Sequence, residues 1–393
     1  MPAYLDNSAT TPLAPEVIER MEQVRAQTQA NASSVHRGGQ LARSILEDSR
    51  QQIAAMIGGE PKEVIFTSGG TEANNLALKG LALKLKLSTG HWPTLLIARA
   101  EHHAVLHPAE FLEVMGASVK MLEVTHEGGV APSELQKCLA EMAIPERGIS
   151  GKPLVSVMHA NNETGTINPI PQLAEMVHQA GGIFHTDAVQ TFGKLPFDVR
   201  ELGVDMATFS AHKIHGPKGI GALFVSKELE LEPLIHGGAQ ERNRRGGTES
   251  PELAAGFAMA AQLCAEQMEQ SRRTFAQLNS QLRQRLQAIP DLQIITPAEG
   301  ALPNILNITF ADAERLDGEG LIVGMDLAGV AVSNGSACTS GSQQPSHVLL
   351  ALGLPAAQAR GAVRFSFGRF TTQGEIDIAA DALLRVVQRQ RNR

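Results

Sequence analysis

Apolar residues at Val17, Ile18, Met21 and Val24 recur at spacings of three and four, which puts them on one face of a helix predicted over residues 15–28. A second helix is predicted over 39–57, where Leu41, Ile45, Ile53 and Met56 repeat at roughly that period and Gly58-Gly59 supplies the glycine expected past a helix C-terminus. The pattern then changes. Short apolar runs at 63–67, 95–98, 119–124, 154–158, 183–186, 207–209 and 221–225 alternate with helical stretches, the order of a mainly parallel sheet with covering helices. A long helical stretch over 251–289, with Leu253, Phe257, Ala261, Cys264 and Met268 on one face, should join this unit to a smaller one. Strands of the smaller unit are expected at 305–310, 330–333 and 362–367, and a charged last helix at 374–391. The fold class is therefore α/β: a large domain over 15–255 built on a seven-stranded sheet, and a smaller α+β domain over 256–393, which residues 1–14 are expected to join.

Composition narrows the classes. At 393 residues the chain can bury a large core and is long for one domain. Its 34 Lys and Arg against 41 Asp and Glu leave a net charge of −7, which argues against nonspecific nucleic-acid binding, although Arg242, Arg244 and Arg245 form a local basic group. The N-terminus has neither the basic segment nor the apolar run of a secretory signal. No apolar stretch approaches the roughly 20 residues that span a bilayer. Three cysteines cannot all pair within one chain, so a reducing cytoplasm is the expected compartment.

The densest polar signal is Ser210-Ala-His-Lys-Ile-His-Gly-Pro-Lys-Gly-Ile-Gly221, between two predicted strands. Gly216, Pro217, Gly219 and Gly221 break any helix, so Lys213 is expected in a loop. Beside Ser210, His212 and His215, a lysine of lowered pKa would be a nucleophile toward an aldehyde, whereas alone it would read as solvated. Residues 182–190 read as a buried strand ending in the carboxyl of Asp187 and the amide of Gln190. Pyridoxal phosphate chemistry needs an acid that keeps the pyridine nitrogen protonated and a lysine that holds the aldehyde. Asp187 and Lys213, at consecutive strand ends, match both.

Other strand ends carry polar groups too. Residues 64–78 pass through Gly69-Gly70 into a helix, leaving the N–H groups of Gly70 and Thr71 for an anion such as the phosphate. His102 follows a predicted strand, where it could stack on the pyridine ring and pass protons or simply cap a helix. Asn162 could bond the phenolic oxygen. Arg364 alternates with Val363 and Phe365, and its guanidinium could grip an α-carboxylate with two bonds or form an ordinary salt bridge. Cys138 and Cys264 fall on apolar helix faces and read as core. Cys338 instead lies in 333–342, a run of small polar residues expected to form an exposed loop suited to a reactive thiol. The rival of a different class is a metal-dependent hydrolase, with His102, His103, His107, His185 and Asp187 as ligands. Adjacent His102 and His103 point apart, however, and no His-Glu-x-x-His spacing occurs.

These motifs resemble the cysteine desulfurases, class V aminotransferases of the fold-type I pyridoxal phosphate-dependent transferases. The resemblance runs from Tyr4-Leu-Asp-Asn-Ser-Ala-Thr-Thr-Pro12 to Arg364-Phe-Ser-Phe-Gly-Arg-Phe-Thr-Thr372, nearly the whole chain. It implies that Lys213 holds the cofactor, that Thr71, Ser210 and His212 bind its phosphate, and that His102 rather than His103 stacks on the ring. It implies further that Gln190, with Asn162, contacts the phenolic oxygen, that Arg364 anchors the substrate carboxylate, and that Cys338 takes the sulfur of L-cysteine as a persulfide, leaving alanine. Gly246-Gly-Thr-Glu249 resembles a segment whose threonine, Thr248 here, reaches the phosphate in a neighbouring subunit, which implies a homodimer. The resemblance also implies a sulfur-acceptor protein, an iron–sulfur scaffold or a tRNA-thiolation protein. Asn334 stands where the pattern commonly has serine, and the sequence ends at Arg393 directly after the last helix, where some members continue with a scaffold-docking tail. Selenocysteine cleavage and simple transamination are the nearest alternatives, and Cys338 separates sulfur transfer from the latter.

Overall fold

The structure, a computed structural model, describes residues 3–142, 152–335 and 344–392. After β1 (Ala3–Tyr4), seven strands build the main sheet: β2 (Val64–Thr67), β3 (Thr94–Ala98), β4 (Ser118–Leu122), β5 (Pro153–Ser156), β6 (Ile183–Asp187), β7 (Met206–Ser210) and β8 (Gly221–Val225). Their order is β2-β8-β7-β6-β5-β3-β4. Pairing is parallel except at β8, which runs antiparallel to both neighbours. Side chains alternate between two apolar layers. Val64, Phe66, Leu96, Phe184, Phe209 and Phe224 enter one core, and Ile65, Leu95, Ile97, Leu154 and Leu223 the other. That two-sided burial is why these strands read as continuous apolar runs.

The helix Pro251–Leu286 begins where the Ser250 hydroxyl caps the Leu253 N–H at 3.3 Å and Pro251 needs no partner. Its first half sets Ala254, Phe257 and Ala261 into the main core, and its second half sets Phe275, Leu278, Leu282 and Leu286 into another. That second core covers β9 (Leu292–Ile294), β10 (Ile305–Phe310), β11 (Val330–Ala331) and β12 (Val363–Ser366). The order β12-β10-β9 is antiparallel, while β11 pairs in parallel with β1. Leu5 lies in the second core, yet a few residues on Thr11 N and Ala14 N donate to the carbonyls of His212 and His215, at 2.9 and 3.0 Å. Residues 3–14 are thus stretched from the small sheet to the turn that carries Lys213. That turn is one 3₁₀ turn, Ala211–Lys213, rather than the loop expected. Ile214 N bonds Ala211 O before the first glycine is reached, so the glycines end the turn instead of preventing it.

Three consecutive residues, Glu241, Arg242 and Asn243, have φ of 45°, 57° and 63°. Left-handed backbone without glycine costs about 1–2 kcal/mol per residue, so the turn needs an anchor. The Glu241 carboxylate supplies it. Arg50 donates to its two oxygens at 2.6 and 2.9 Å, and Phe66 N donates at 3.0 Å, with both side chains at most 3 % exposed. Glu241→Ala leaves the buried Arg50 guanidinium with the partly exposed Glu47 carboxylate, at 3.3 Å, as its remaining ion-pair partner, and should lower the stability of the cofactor-loaded protein in urea unfolding by about 3 kcal/mol, the low end for a broken buried pair. A loss below about 1 kcal/mol, the worth of an exposed pair, would show that this contact does not anchor the turn.

Candidate active site

A cavity of about 270 Å³ opens at the carboxyl ends of the parallel strands, where open α/β sheets place their ligands. Gly70 and Thr71 reach it from β2, His102 from β3, Asn162 from β5, Asp187 and Gln190 from β6, and Ser210, His212 and Lys213 from β7; Arg364 enters from β12. Thr248 does not line it and is exposed. Cys338 lies outside the described residues, but Gly335, the last described residue before its segment, and His347, the fourth described residue after it, line the cavity.

Lys213 and Asp187 are held by separate partners. Lys213 Nζ donates to the carbonyls of Ser8 and Ala9 at 2.5 and 2.6 Å. Asp187, 7 % exposed, accepts from Asn74 Nδ2 at 2.7 Å and from Val189 N at 2.9 Å. Burial pushes the Asp187 carboxyl above its ordinary range, while the Asn74 amide, the Val189 N–H and the Lys213 charge act against the shift. A protonated ring nitrogen would give this carboxyl an opposite charge in contact. His102 Nδ1 accepts from Ala104 N at 3.0 Å and caps the helix His103–Val114, so the neutral ring carries its proton on Nε2. Burial, and then the Lys213 charge, lower its pKa to about 4. Helix cap and cavity wall are therefore one residue.

The remaining wall is polar and partly unsatisfied. A Cβ on Gly70 would stand 2.9 Å from Val189 Cγ2, so only glycine lets the chain start its helix here. Ser210 Oγ is buried without a partner among the described residues, and His212 Nδ1 meets Thr10 Oγ1 at 3.2 Å. Gln190 donates to Ser8 O at 3.0 Å, and its buried Oε1 has no partner among the described residues. Arg364 donates to Asn162 O at 3.0 Å and Asp6 Oδ1 at 2.8 Å, and its buried Nε has no partner among the described residues. The salt bridge and the cavity position coexist. Buried polar atoms such as these, without partners among the described residues around one cavity, are what a polar ligand would satisfy; the residues fit pyridoxal phosphate and an amino acid.

Several of these neighbours escaped the reading of the sequence. Asn74 sits one helical turn after Gly70 in Gly-Thr-Glu-Ala-Asn, and that spacing was the available signal. Ser8 and Ala9 act through carbonyls, which leave no mark in a sequence. The rival metal reading gains nothing: among the described residues no group of His, Cys, Asp and Glu is placed to hold an ion. His185 is fully buried under the sheet between Ser156 Oγ at 2.8 Å and Thr208 Oγ1 at 3.1 Å. Instead of presenting ligands, His103 stacks on His107 at 4.8 Å. The Arg242, Arg244 and Arg245 group is no open basic patch, since Arg245 pairs with Glu72, Arg242 with Glu47, and Arg244 bonds Lys62 O. Cys138 is buried, and burial lifts the Cys264 thiol to about 11, so neither is poised as a nucleophile. No described helix is long and apolar enough to cross a membrane.

The mainly parallel sheet is that of a fold-type I pyridoxal phosphate enzyme, and residues 3–378 match the family model "Aminotransferase class-V", the family to which the chain belongs. Its relatives narrow the membership to the cysteine desulfurases. Cysteine desulfurase IscS of Dictyoglomus turgidum is 42 % identical over 389 residues, covering 99 % of this chain and 95 % of the relative. The enzyme of the same name from Methanosarcina thermophila is 39 % identical, covering 99 % and 93 %. Among solved structures, a NifS-like protein superposes with a TM-score of 0.89 at 34 % identity, covering 99 % of this chain and all of that one. The structure titled "SspA in complex with cysteine" gives 0.79 at 33 % identity, covering 94 % and 100 %.

The buried imidazoles predict a pH effect. Desolvation lowers His185 to about 3, whereas an unfolded histidine titrates near 6.5. The unfolded chain therefore takes up this proton first, so the contribution of His185 to stability is full above pH 6.5 and is lost as pH falls. Between pH 7.5 and 5, wild type should lose about 2 kcal/mol more than His185→Gln in urea titrations. Equal losses would show that His185 is not held neutral.

Proposed function

We propose that the chain is a pyridoxal phosphate-dependent cysteine desulfurase, in which Cys338 takes sulfur from L-cysteine, releasing L-alanine and leaving a persulfide on the protein. One observation carries the reading: the cavity that joins Lys213, Asp187 and His102 is also lined by Gly335, directly before the segment bearing Cys338, and by His347, a few residues after it. When bound at Lys213, pyridoxal phosphate supplies the electron sink that labilises bonds at the substrate's α- and β-carbons.

The chain's residues do the rest. Asp187 holds the proton of the ring nitrogen, fixed in aim by Asn74 and Val189 N. Gly70, Thr71, Ser210 and His212 hold the phosphate, and Asn162 and Gln190 bond the phenolic oxygen. Arg364 grips the substrate carboxylate, with Asn162 beside it. The Lys213 amine moves the α-proton, helped by His102, whose neutral ring can stack on the pyridine without adding a charge. The Cys338 thiolate attacks the substrate's sulfur. The carbon–sulfur bond breaks, a sulfur–sulfur bond forms, and protonation of the carbon left behind gives alanine.

Residues 15–255 form the domain that holds the cofactor, and 256–393 with 1–14 form the domain that brings Arg364 and Cys338. The exposed position of Thr248 supports its service to a second subunit in a homodimer. The persulfide passes to an acceptor protein in the cytoplasm, an iron–sulfur scaffold or a tRNA-thiolation protein.

Cys338→Ala should keep the yellow cofactor and its colour change on adding L-cysteine, while alanine release falls to background. Lys213→Ala should lose both. Undiminished alanine release by Cys338→Ala would exclude the persulfide route and favour transamination, which needs no loop thiol.

A further inference from the structure

Glu163 lines the cavity next to Asn162 and is 2 % exposed, yet nothing in the reaction above uses it. A carboxyl is removed from water at this cost only when its neighbours repay it, and here the neighbours come from three parts of the chain. Ser346 Oγ donates to Glu163 Oε2 at 2.5 Å. The same oxygen fills the space beside Gly335, so that a Cβ built there would collide with it, and Gly335 has φ of +93°. Asn307 of β10 donates to the Glu163 carbonyl at 3.2 Å, and Glu163 N donates to Asn161 Oδ1 at 2.8 Å.

Each end of the contact is tied further. Gly335 N donates to Ser333 Oγ at 3.1 Å, and Ser333 exchanges backbone bonds with Arg364. Ser346 caps the helix His347–Ala351 by accepting from Leu349 N at 3.2 Å, so its one hydroxyl proton is committed to Glu163. One carboxyl oxygen thus meets the last described residue before the segment of Cys338 and a described residue just after it, beside the arginine that takes the substrate carboxylate.

We propose that Glu163 is a positioning residue for sulfur transfer, its carboxyl clamping Gly335 and Ser346 together at the cavity and so fixing the points from which Cys338 is delivered. This rests on the desulfurase reading. Misplacing a reacting group by about 1 Å can cost about 100-fold, and loss of an outer supporting partner costs about 10–100-fold. The clamp should therefore act on kcat and not on substrate binding.

The test uses cofactor-loaded wild type, Glu163→Gln, Glu163→Ala, Ser346→Ala and the double variant Glu163→Ala/Ser346→Ala, with alanine release from L-cysteine and the cofactor's colour change followed together. Glu163→Ala and Ser346→Ala should each lower kcat about 10–100-fold with KM and colour change as in wild type. The double variant should be no worse than the worse single, because both remove one contact. Glu163→Gln keeps an oxygen for the Ser346 hydroxyl and should restore most of the rate. Raised KM at unchanged kcat would overturn the proposal by moving the role of Glu163 to Arg364 and the substrate carboxylate. Additive losses or wild-type rates in both singles would overturn it too. If Glu163→Ala fails to fold, Ser346→Ala decides alone by the same kcat and KM criteria. Wild type releasing no alanine would defeat the desulfurase reading itself, whereas active variants beside an active wild type defeat only the clamp.

Discussion

A lysine amine and a carboxyl must share one water-poor cavity without collapsing onto each other. At low dielectric the attraction between opposite charges is strong, and a direct Lys213–Asp187 pair would fill the place a cofactor ring needs. The fold prevents this by giving each group its own partners: the Ser8 and Ala9 carbonyls for Lys213, and Asn74 with Val189 N for Asp187. The Lys213 partners lie on the N-terminal segment, which is held at one end by β1 pairing with β11 and at the other by Thr11 and Ala14 bonding the Lys213 turn. The reactive amine of the large sheet is thus set by the small one, and the long helix Pro251–Leu286 ties the two cores that keep this span fixed.

The same interior sorts residues of one type into different roles. His102 is kept neutral by burial and the Lys213 charge, with its tautomer set by the Ala104 N–H. His185, also neutral, spends both ring nitrogens on hydroxyls beneath the sheet and has nothing left for a ligand. Cys264 is raised by burial away from thiolate chemistry. These distinctions come from surroundings, since the residue types are identical.

What could be read from the sequence follows from how each feature is encoded. Strands such as β3 and β8 are apolar on both faces, and the helix Pro251–Leu286 repeats its apolar positions over many turns, so both stood out. β1 and β9 have two and three residues, too few to show a period. Lys213, Asp187 and His102 declared themselves as chemical side chains at strand ends and Arg364 as a charge alternating with apolar residues within one, and all four line one cavity. Ser8 and Ala9 could not, because their carbonyls act and every residue has one. Glu163 directly follows Asn162, but its contact with Ser346 is 183 positions away in the chain, a distance no local pattern spans.

The central claim is that sulfur leaves L-cysteine by bonding to Cys338. The most direct measurement is peptide mass spectrometry of the cofactor-loaded enzyme after one turnover with L-cysteine, with no reductant present and thiols trapped by alkylation. A mass gain of one sulfur atom on the peptide carrying Cys338, matched by one alanine per sulfur, is the predicted result. Alanine formed with no sulfur retained on Cys338, or sulfur retained instead on Cys138 or Cys264, would contradict it.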